Sequence, residues 1–196
     1  QAERIVVNGA SLTVHAGEIV GLAGLMGAGR TELAMSVFGR SYGRHSTGRV
    51  FKVGKEIDAS SVAQAIRHGI AYATEDRKRY GLNPIDDIRH NISAAALGKL
   101  SRGGWINVNE EIKVAEEHRS SLDIKTPTVM ALAGKRSGGN QQKVVLSKWI
   151  FTDPDVLIPD APTRGIASGP KYATAQVNHR PARPGKAGPM NPPTPP

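Results

Sequence analysis

Short apolar runs punctuated by glycine fill the first half of the chain, and longer helical periodicity fills the second. Residues 1–16 alternate weakly and end at Ala16-Gly17, the pattern of a strand pair joined by a turn. Residues 18–23 form a short apolar run leading into glycines and predict a buried strand. Residues 31–38 then have helical character, with Gly39 placed as the C-terminal cap. A second strand pair is predicted around residues 49–51 and 56–57. Ser61 is placed to cap a helix that runs through Val62, Ala65 and Ile66 and stops at Gly69. Residues 70–74 predict a further strand, residues 84–122 read as mostly helical, and residues 155–158 predict a last buried strand.

Strands alternating with helices define an α/β fold with a parallel sheet, here with a helical insert in the middle. No internal repeat interrupts that order. The composition breaks near Pro170, because eight of the 13 prolines lie from Pro170 to Pro196. Proline denies a helix its interior bonds and a central strand its ladder, so residues 171–196 predict a disordered tail.

A length of 196 residues suits one domain with a real core. No apolar run approaches the ~20 residues of a membrane span, and the amino end, Gln-Ala-Glu-Arg, lacks a signal-peptide pattern. Crossing a membrane would therefore fall to another chain. The absence of cysteine excludes disulfides and thiolate metal sites and is compatible with a cytoplasmic setting. The formal charge of +9 changes little, since Lys171, Arg180, Arg183 and Lys186 of the tail supply four bases with no acid. Over the rest, charges of both signs are interspersed with no single basic face, so no nucleic-acid partner is expected.

Candidate chemistry sits at three places. Ser137-Gly138-Gly139-Asn140-Gln141-Gln142 opens a helical run. Paired glycines let backbone N–H groups approach an anion, Ser137 adds a hydroxyl, and the helix dipole favours phosphate there. Upstream, residues 24–31 (Gly24, Gly27, Ala28, Gly29, Arg30, Thr31) have the spacing of a Walker A loop between a predicted strand and a predicted helix. In such a loop the glycine N–H groups wrap the phosphates and Thr31 can place its hydroxyl on Mg²⁺. Arg30 stands where the motif has lysine, which keeps the charge but not the compact shape. The bland counterpart is a Gly-rich strand–helix turn with no ligand. Downstream, an apolar run ends at Asp160, which either holds a metal or merely starts a turn.

Taken together, these motifs resemble those of ATP-binding cassettes, in the form used by the second cassette of tandem-cassette bacterial monosaccharide importer ATPases. The resemblance covers roughly residues 4–172 and extends beyond the motifs, to residues 21–32, Glu75-Asp76-Arg77-Lys78, Gly81-Leu82, Asn91-Ile92 and residues 153–157. It implies a P-loop NTPase fold: a mostly parallel core sheet, an antiparallel β subdomain, a helical subdomain at about residues 84–150, and missing C-terminal strands. The domain would occupy residues 1–170.

The resemblance also assigns roles. ATP would lie on Gly24, Gly27, Ala28, Gly29, Arg30, Thr31 and Glu32, with Mg²⁺ at Thr31 and Asp160. Ser137, Gly138, Gly139, Asn140 and Gln141 would form the signature offered to a partner cassette, fused or as a dimer mate. Glu75 falls where ordinary cassettes carry the Q-loop glutamine; its plainer reading is an exposed acid beside Arg77 and Lys78. Arginine at position 30 is usual for the second cassette. Other positions depart from the pattern. Ala161 occupies the catalytic glutamate position, so no catalytic residue is intact. Pro159 stands inside a central strand where it would delete a ladder N–H. Arg136 replaces a leucine, Ala167-Ser168 replaces an aspartate-containing turn, and His179 has no strand before it to make a switch histidine.

By this resemblance the chain is expected to be an ATP-binding cassette, cytoplasmic and peripheral on the inner face of the plasma membrane. Its partners would be membrane permease subunits and, indirectly, a sugar-binding protein. This copy would bind ATP and hydrolyse poorly, while the partner's hydrolysis drives monosaccharide uptake. A non-hydrolysing, nucleotide-sensing pseudo-cassette is the alternative. A DNA-repair or ribosome-binding cassette is opposed by the missing cysteines and by Glu75-Asp76-Arg77-Lys78. The divergent end reads either as a truncated frame or as a native basic linker.

Overall fold

The computed structural model describes residues 5–25, 27–44 and 46–160. Met26, His45, Ala161, the Ala167-Ser168 turn, His179 and the predicted tail lie outside the described residues.

Helix α1 (Arg30–Val37) ends as its sequence predicts: Gly39 adopts φ +76, the left-handed turn that lets the chain leave a helix. A Cβ at Gly39 would fall 2.2 Å from the Val62 backbone nitrogen, so the end of α1 is pressed against the start of α2. Between them β1 (Val50–Lys52) and β2 (Lys55–Ile57) form an antiparallel hairpin through Val53-Gly54, with Val50 opposite Ile57. Helix α2 (Val62–Arg67) is capped by Ser61, whose hydroxyl accepts from the Gln64 N–H.

Strand β3 (Ile70–Ala73) is buried throughout, as its unbroken apolar run requires. It pairs in parallel with β6 (Val156–Pro159) in the register Tyr72 opposite Ile158. Between them come α3 (Ile88–Ser93), a short hairpin of β4 (Ser101–Arg102) and β5 (Trp105–Ile106), α4 (Val108–Ser121) and α5 (Gly138–Phe151). The β4–β5 hairpin falls inside the stretch that the sequence pattern assigns to helix. Its strands are two residues each around Gly103-Gly104, too short to impose a period of two.

Helix α5 joins two apolar clusters. Val145 and Trp149 pack with Phe38, Ala65 and Tyr72 against α1, α2 and β3. Val144 and Leu146 pack with Ile88, Ile92, Ala115 and Val129 against α3 and α4. The Phe38 ring meets Trp149 edge-on at 5.3 Å and Tyr72 at 5.8 Å, contacts worth about 1 kcal/mol each beyond burial.

Two expectations are corrected. Residues 18–23 form no strand, and Ile19, Val20 and Leu22 are exposed. An apolar run becomes a strand only beside a ladder neighbour, and no described strand lies alongside this one. In residues 5–16 the predicted strand pair is likewise absent, although the turn forms, with Glu18 N–H donating to the His15 carbonyl at 3.0 Å. The second correction concerns Pro159, which costs the β3–β6 ladder nothing. The N–H groups of Val156 and Asp160 donate to Gly69 and Ala73 carbonyls at 3.0 and 2.9 Å. Backbone groups alternate edges along a strand, so position 159 faces away from β3.

Candidate functional site

The glycine loop leads directly into α1. Gly27 and Gly29 adopt φ +79 and +86, and the Ala28 N–H donates to Leu25 O at 3.1 Å. A Cβ at Gly24 would come within 3.1 Å of the Ala28 Cβ, and one at Gly29 within 3.1 Å of the Val6 carbonyl. Gly29 is the N-cap of α1 and supplies no side-chain cap. Each of the other four α-helices is capped: Ser61, Asp87, Asn107 and Ser137 accept from N–H groups of α2, α3, α4 and α5. Helix α1 is thus the one described α-helix whose first turn keeps its donors for something other than a side-chain cap. Arg30 is exposed, and Glu32 is half-buried with its carbonyl accepting from Ser36 Oγ at 2.7 Å. A cavity of about 320 Å³ adjoins the loop, lined in part by Val6, Ala28, Gly29, Arg30 and Leu33.

Across from the loop, β6 delivers Asp160. One oxygen of its carboxylate, Oδ2, accepts from Thr31 Oγ1 at 2.8 Å and from Tyr72 Oη at 2.8 Å. The fold therefore brings together Thr31 and Asp160, the two residues to which the sequence resemblance assigns a metal role, although they are 129 positions apart. Tyr72 was hidden in an apolar run that reads as core. Burial, and next its bond to Asp160, push the Tyr72 phenol above its ordinary value of 10.0.

The residues expected to form a signature open α5. Ser137 Oγ accepts from Asn140 N–H at 3.4 Å and from Asn140 Nδ2 at 3.0 Å. A hydroxyl that only accepts in these bonds has not spent its proton on them, and Ser137 is exposed. Asn140 Oδ1 accepts from Lys125 N–H at 2.8 Å. Gln141 is buried, its amide donating to Gly134 and Arg136 carbonyls at 3.1 and 3.0 Å, so its side chain braces the preceding loop. The Arg136 Nε is buried without a hydrogen-bond partner. Glu75 follows β3 and is half-buried, its carbonyl accepting from Arg77 N–H at 3.0 Å. Arg77 Nε in turn donates to Gln141 Oε1 at 3.0 Å, which links the Glu75 segment to the signature. Sequence spacing gave no sign of that bond.

A glycine loop on an uncapped helix, facing a hydroxyl–carboxylate pair at the end of a parallel strand, defines the chain as a P-loop nucleotide-binding domain. The family profile described as ABC transporter matches residues 7–164, and the chain belongs to that family. It is 54% identical over 185 residues to the L-arabinose transport ATP-binding protein AraG of Geobacillus stearothermophilus, covering 94% of this chain and 36% of that protein. It is 49% identical over 167 residues to the xylose import ATP-binding protein XylG of Thermoanaerobacter pseudethanolicus, covering 85% of this chain and 33% of that protein. The chain thus spans about a third of the length of these curated relatives. Among solved structures it is similar in fold to a dimeric ATP-binding cassette in a post-hydrolysis state bound to ADP and Pi, with TM-score 0.69 and 20% identity. That match covers 85% of this chain and 70% of the other. Among the described residues no helix is long and apolar enough to cross a membrane.

Proposed function

We propose that this chain is the ATP-binding cassette of a sugar importer, acting as half of a pair of cassettes. The observation that carries the reading is the uncapped first turn of α1 beside the Thr31–Asp160 pair. The cradle fits a nucleotide phosphate: the first turn of α1 carries no side-chain cap, and a hydroxyl and a carboxylate stand together as hard oxygen ligands. Gly24, Gly27, Ala28, Gly29, Arg30, Thr31 and Glu32 would hold ATP, and Thr31 with Asp160 would hold Mg²⁺. When bound, Mg²⁺ supplies charge neutralisation at the phosphates. The sugar assignment is supported by the names of the arabinose and xylose relatives.

In this reading Ser137, Gly138, Gly139, Asn140 and Gln141 form the signature that completes a partner cassette's nucleotide site. The chain's own loop binds ATP and turns it over poorly, because Ala161 follows Asp160 where an activating carboxylate would stand. Hydrolysis on the partner then drives monosaccharide entry through a separate permease, at the inner face of the plasma membrane. A non-hydrolysing nucleotide sensor is the second reading, and Ala161 is the observation that favours it. Pairing the chain with an intact companion cassette and measuring ATPase separates them. Turnover that requires Ser137–Gln141 of this chain supports the importer reading, and silence at both sites supports the sensor. The isolated chain should show no Mg²⁺-dependent ATPase above background.

A further inference from the structure

Arg77, which follows β3, reaches the start of α5. Its Nε donates to Gln141 Oε1 at 3.0 Å, and a Cβ at Gly138 would fall 2.7 Å from its Nη2. The guanidinium therefore lies against the first residue of α5 and is bonded one turn further along it. Gln141 is itself committed, through its amide, to the carbonyls of Gly134 and Arg136 that precede the helix. A second tie runs beside the first, from Gln142 Nε2 to the Thr74 carbonyl at 3.5 Å. Thr74 and Arg77 both follow β3, and β3 carries Tyr72, which donates to Asp160. A continuous set of bonds thus runs from the Asp160 carboxylate, along β3, to the turn that presents Ser137, Gly138 and Gly139.

We propose that Arg77 is a positioning residue for the signature, fixing its first turn through Gln141. The proposal deepens the importer function and rests on the signature's serving a partner site. A guanidinium against a helix's positive end gains nothing from the dipole, so its placement is held by the Gln141 bond and packing on Gly138. Glycine at 138 is what leaves room for it.

The test uses the chain joined to an intact companion cassette. Arg77→Ala should lower turnover at the companion's site by roughly tenfold, as expected for misplacing a group that orders the reaction. The KM for ATP and the binding of ATP to this chain's own loop should hold. Arg77→Gln should recover most of the loss, because its amide nitrogen stands the same number of bonds from the backbone as the arginine Nε. Arg77→Ala combined with Gln141→Ala should cost little more than the worse single change, the signature of two residues acting as a unit. Without any nucleotide, Arg77→Ala should speed hydrogen exchange at the Asn140 and Gln141 amides several-fold while the Leu33 amide of α1 is unchanged. Gly139→Asp, which blocks the signature outright, is the control. If Gly139→Asp abolishes turnover and Arg77→Ala does not lower it, the proposal is overturned. If Gly139→Asp itself has no effect, the signature reading fails, and exchange at residues 140–141 still decides whether Arg77 holds the turn. Glutamine no better than alanine at position 77 would also overturn it.

Discussion

The Thr31 hydroxyl donates to the Asp160 carboxylate at 2.8 Å, joining the start of α1 to the end of β6. Tyr72 donates to the same oxygen at 2.8 Å, from the strand paired with β6. One oxygen of the carboxylate, Oδ2, is thus held by two hydroxyls, and Tyr72 approaches it from inside the core.

Tyr72→Phe removes one bond to a carboxylate and should destabilise the chain by about 1–2 kcal/mol. Its phenol is raised above 10.0 in the folded state, so the protonated form is the one that folding favours. That contribution is complete below pH 10.0, the unfolded value, and fades as pH climbs toward the folded value. Denaturant melts from pH 8 upward should show wild-type stability falling steeply above about pH 10 relative to Tyr72→Phe. Mg²⁺-ATP affinity measured by calorimetry should fall in the variant, because one of the two hydroxyls that aim Asp160 is gone. Parallel pH curves for the two proteins would show that burial and the Asp160 bond do not hold the phenol's proton.

Gly29→Val should abolish ATP binding. Position 29 has φ +86, which a β-branched residue resists, and a Cβ there meets the Val6 carbonyl at 3.1 Å. Arg30→Lys should preserve or strengthen binding, since Arg30 is exposed and the loop's grip comes from backbone donors. Titration calorimetry on both variants decides the matter: a Gly29→Val chain that binds ATP like the parent would refute the phosphate-loop assignment.

Local rules carried some elements well. Gly39 stops α1, Ser61 caps α2, and the β1–β2 hairpin and β3 fall where their patterns place them, because each depends on a few adjacent residues. Residues 18–23 read as a buried strand from composition alone, yet Ile19 is 57% exposed, because ladder partners are a property of the rest of the chain. The candidate site was legible where backbone chemistry would make it, at Gly27, Gly29 and Gly138. It was not legible where a side chain's partner is remote. Tyr72 differs from a core phenylalanine only through Asp160, 88 positions away, and Arg77 matters only through Gln141, 64 positions away.

Lys148 gives a second pH signature, of opposite sign. Burial lowers its amine to about 8 from 10.5, and it donates to the Gly81 carbonyl. The unfolded chain keeps that proton up to 10.5 while the folded chain releases it near 8, so stability should rise with pH between those values. Lys148→Met should flatten the rise, a difference of about 2 kcal/mol between pH 7 and pH 9.5. Chemical denaturation at pH 7 and pH 9.5, on both proteins, reads it directly. Equal pH slopes would mean that the amine is solvated in the folded chain.

Pro159→Leu should leave the β3–β6 ladder as it is. A proline inside a parallel strand ordinarily removes a donor and leaves a neighbouring carbonyl unpaired, at a cost of about 1–3 kcal/mol. Here the donors that face β3 belong to Val156 and Asp160, and position 159 alternates to the other edge. Its opposite number, Ala73, keeps its carbonyl satisfied by the Asp160 N–H at 2.9 Å. The expected result is a stability change within about 0.5 kcal/mol and unaltered hydrogen-exchange protection at the Asp160 amide. Asp160 would still meet Thr31 and Tyr72, so ATP binding should also be unchanged. A gain in protection at Asp160 on replacing Pro159 would show that the proline strains the ladder after all, and that the carboxylate is held less firmly than its two 2.8 Å bonds imply.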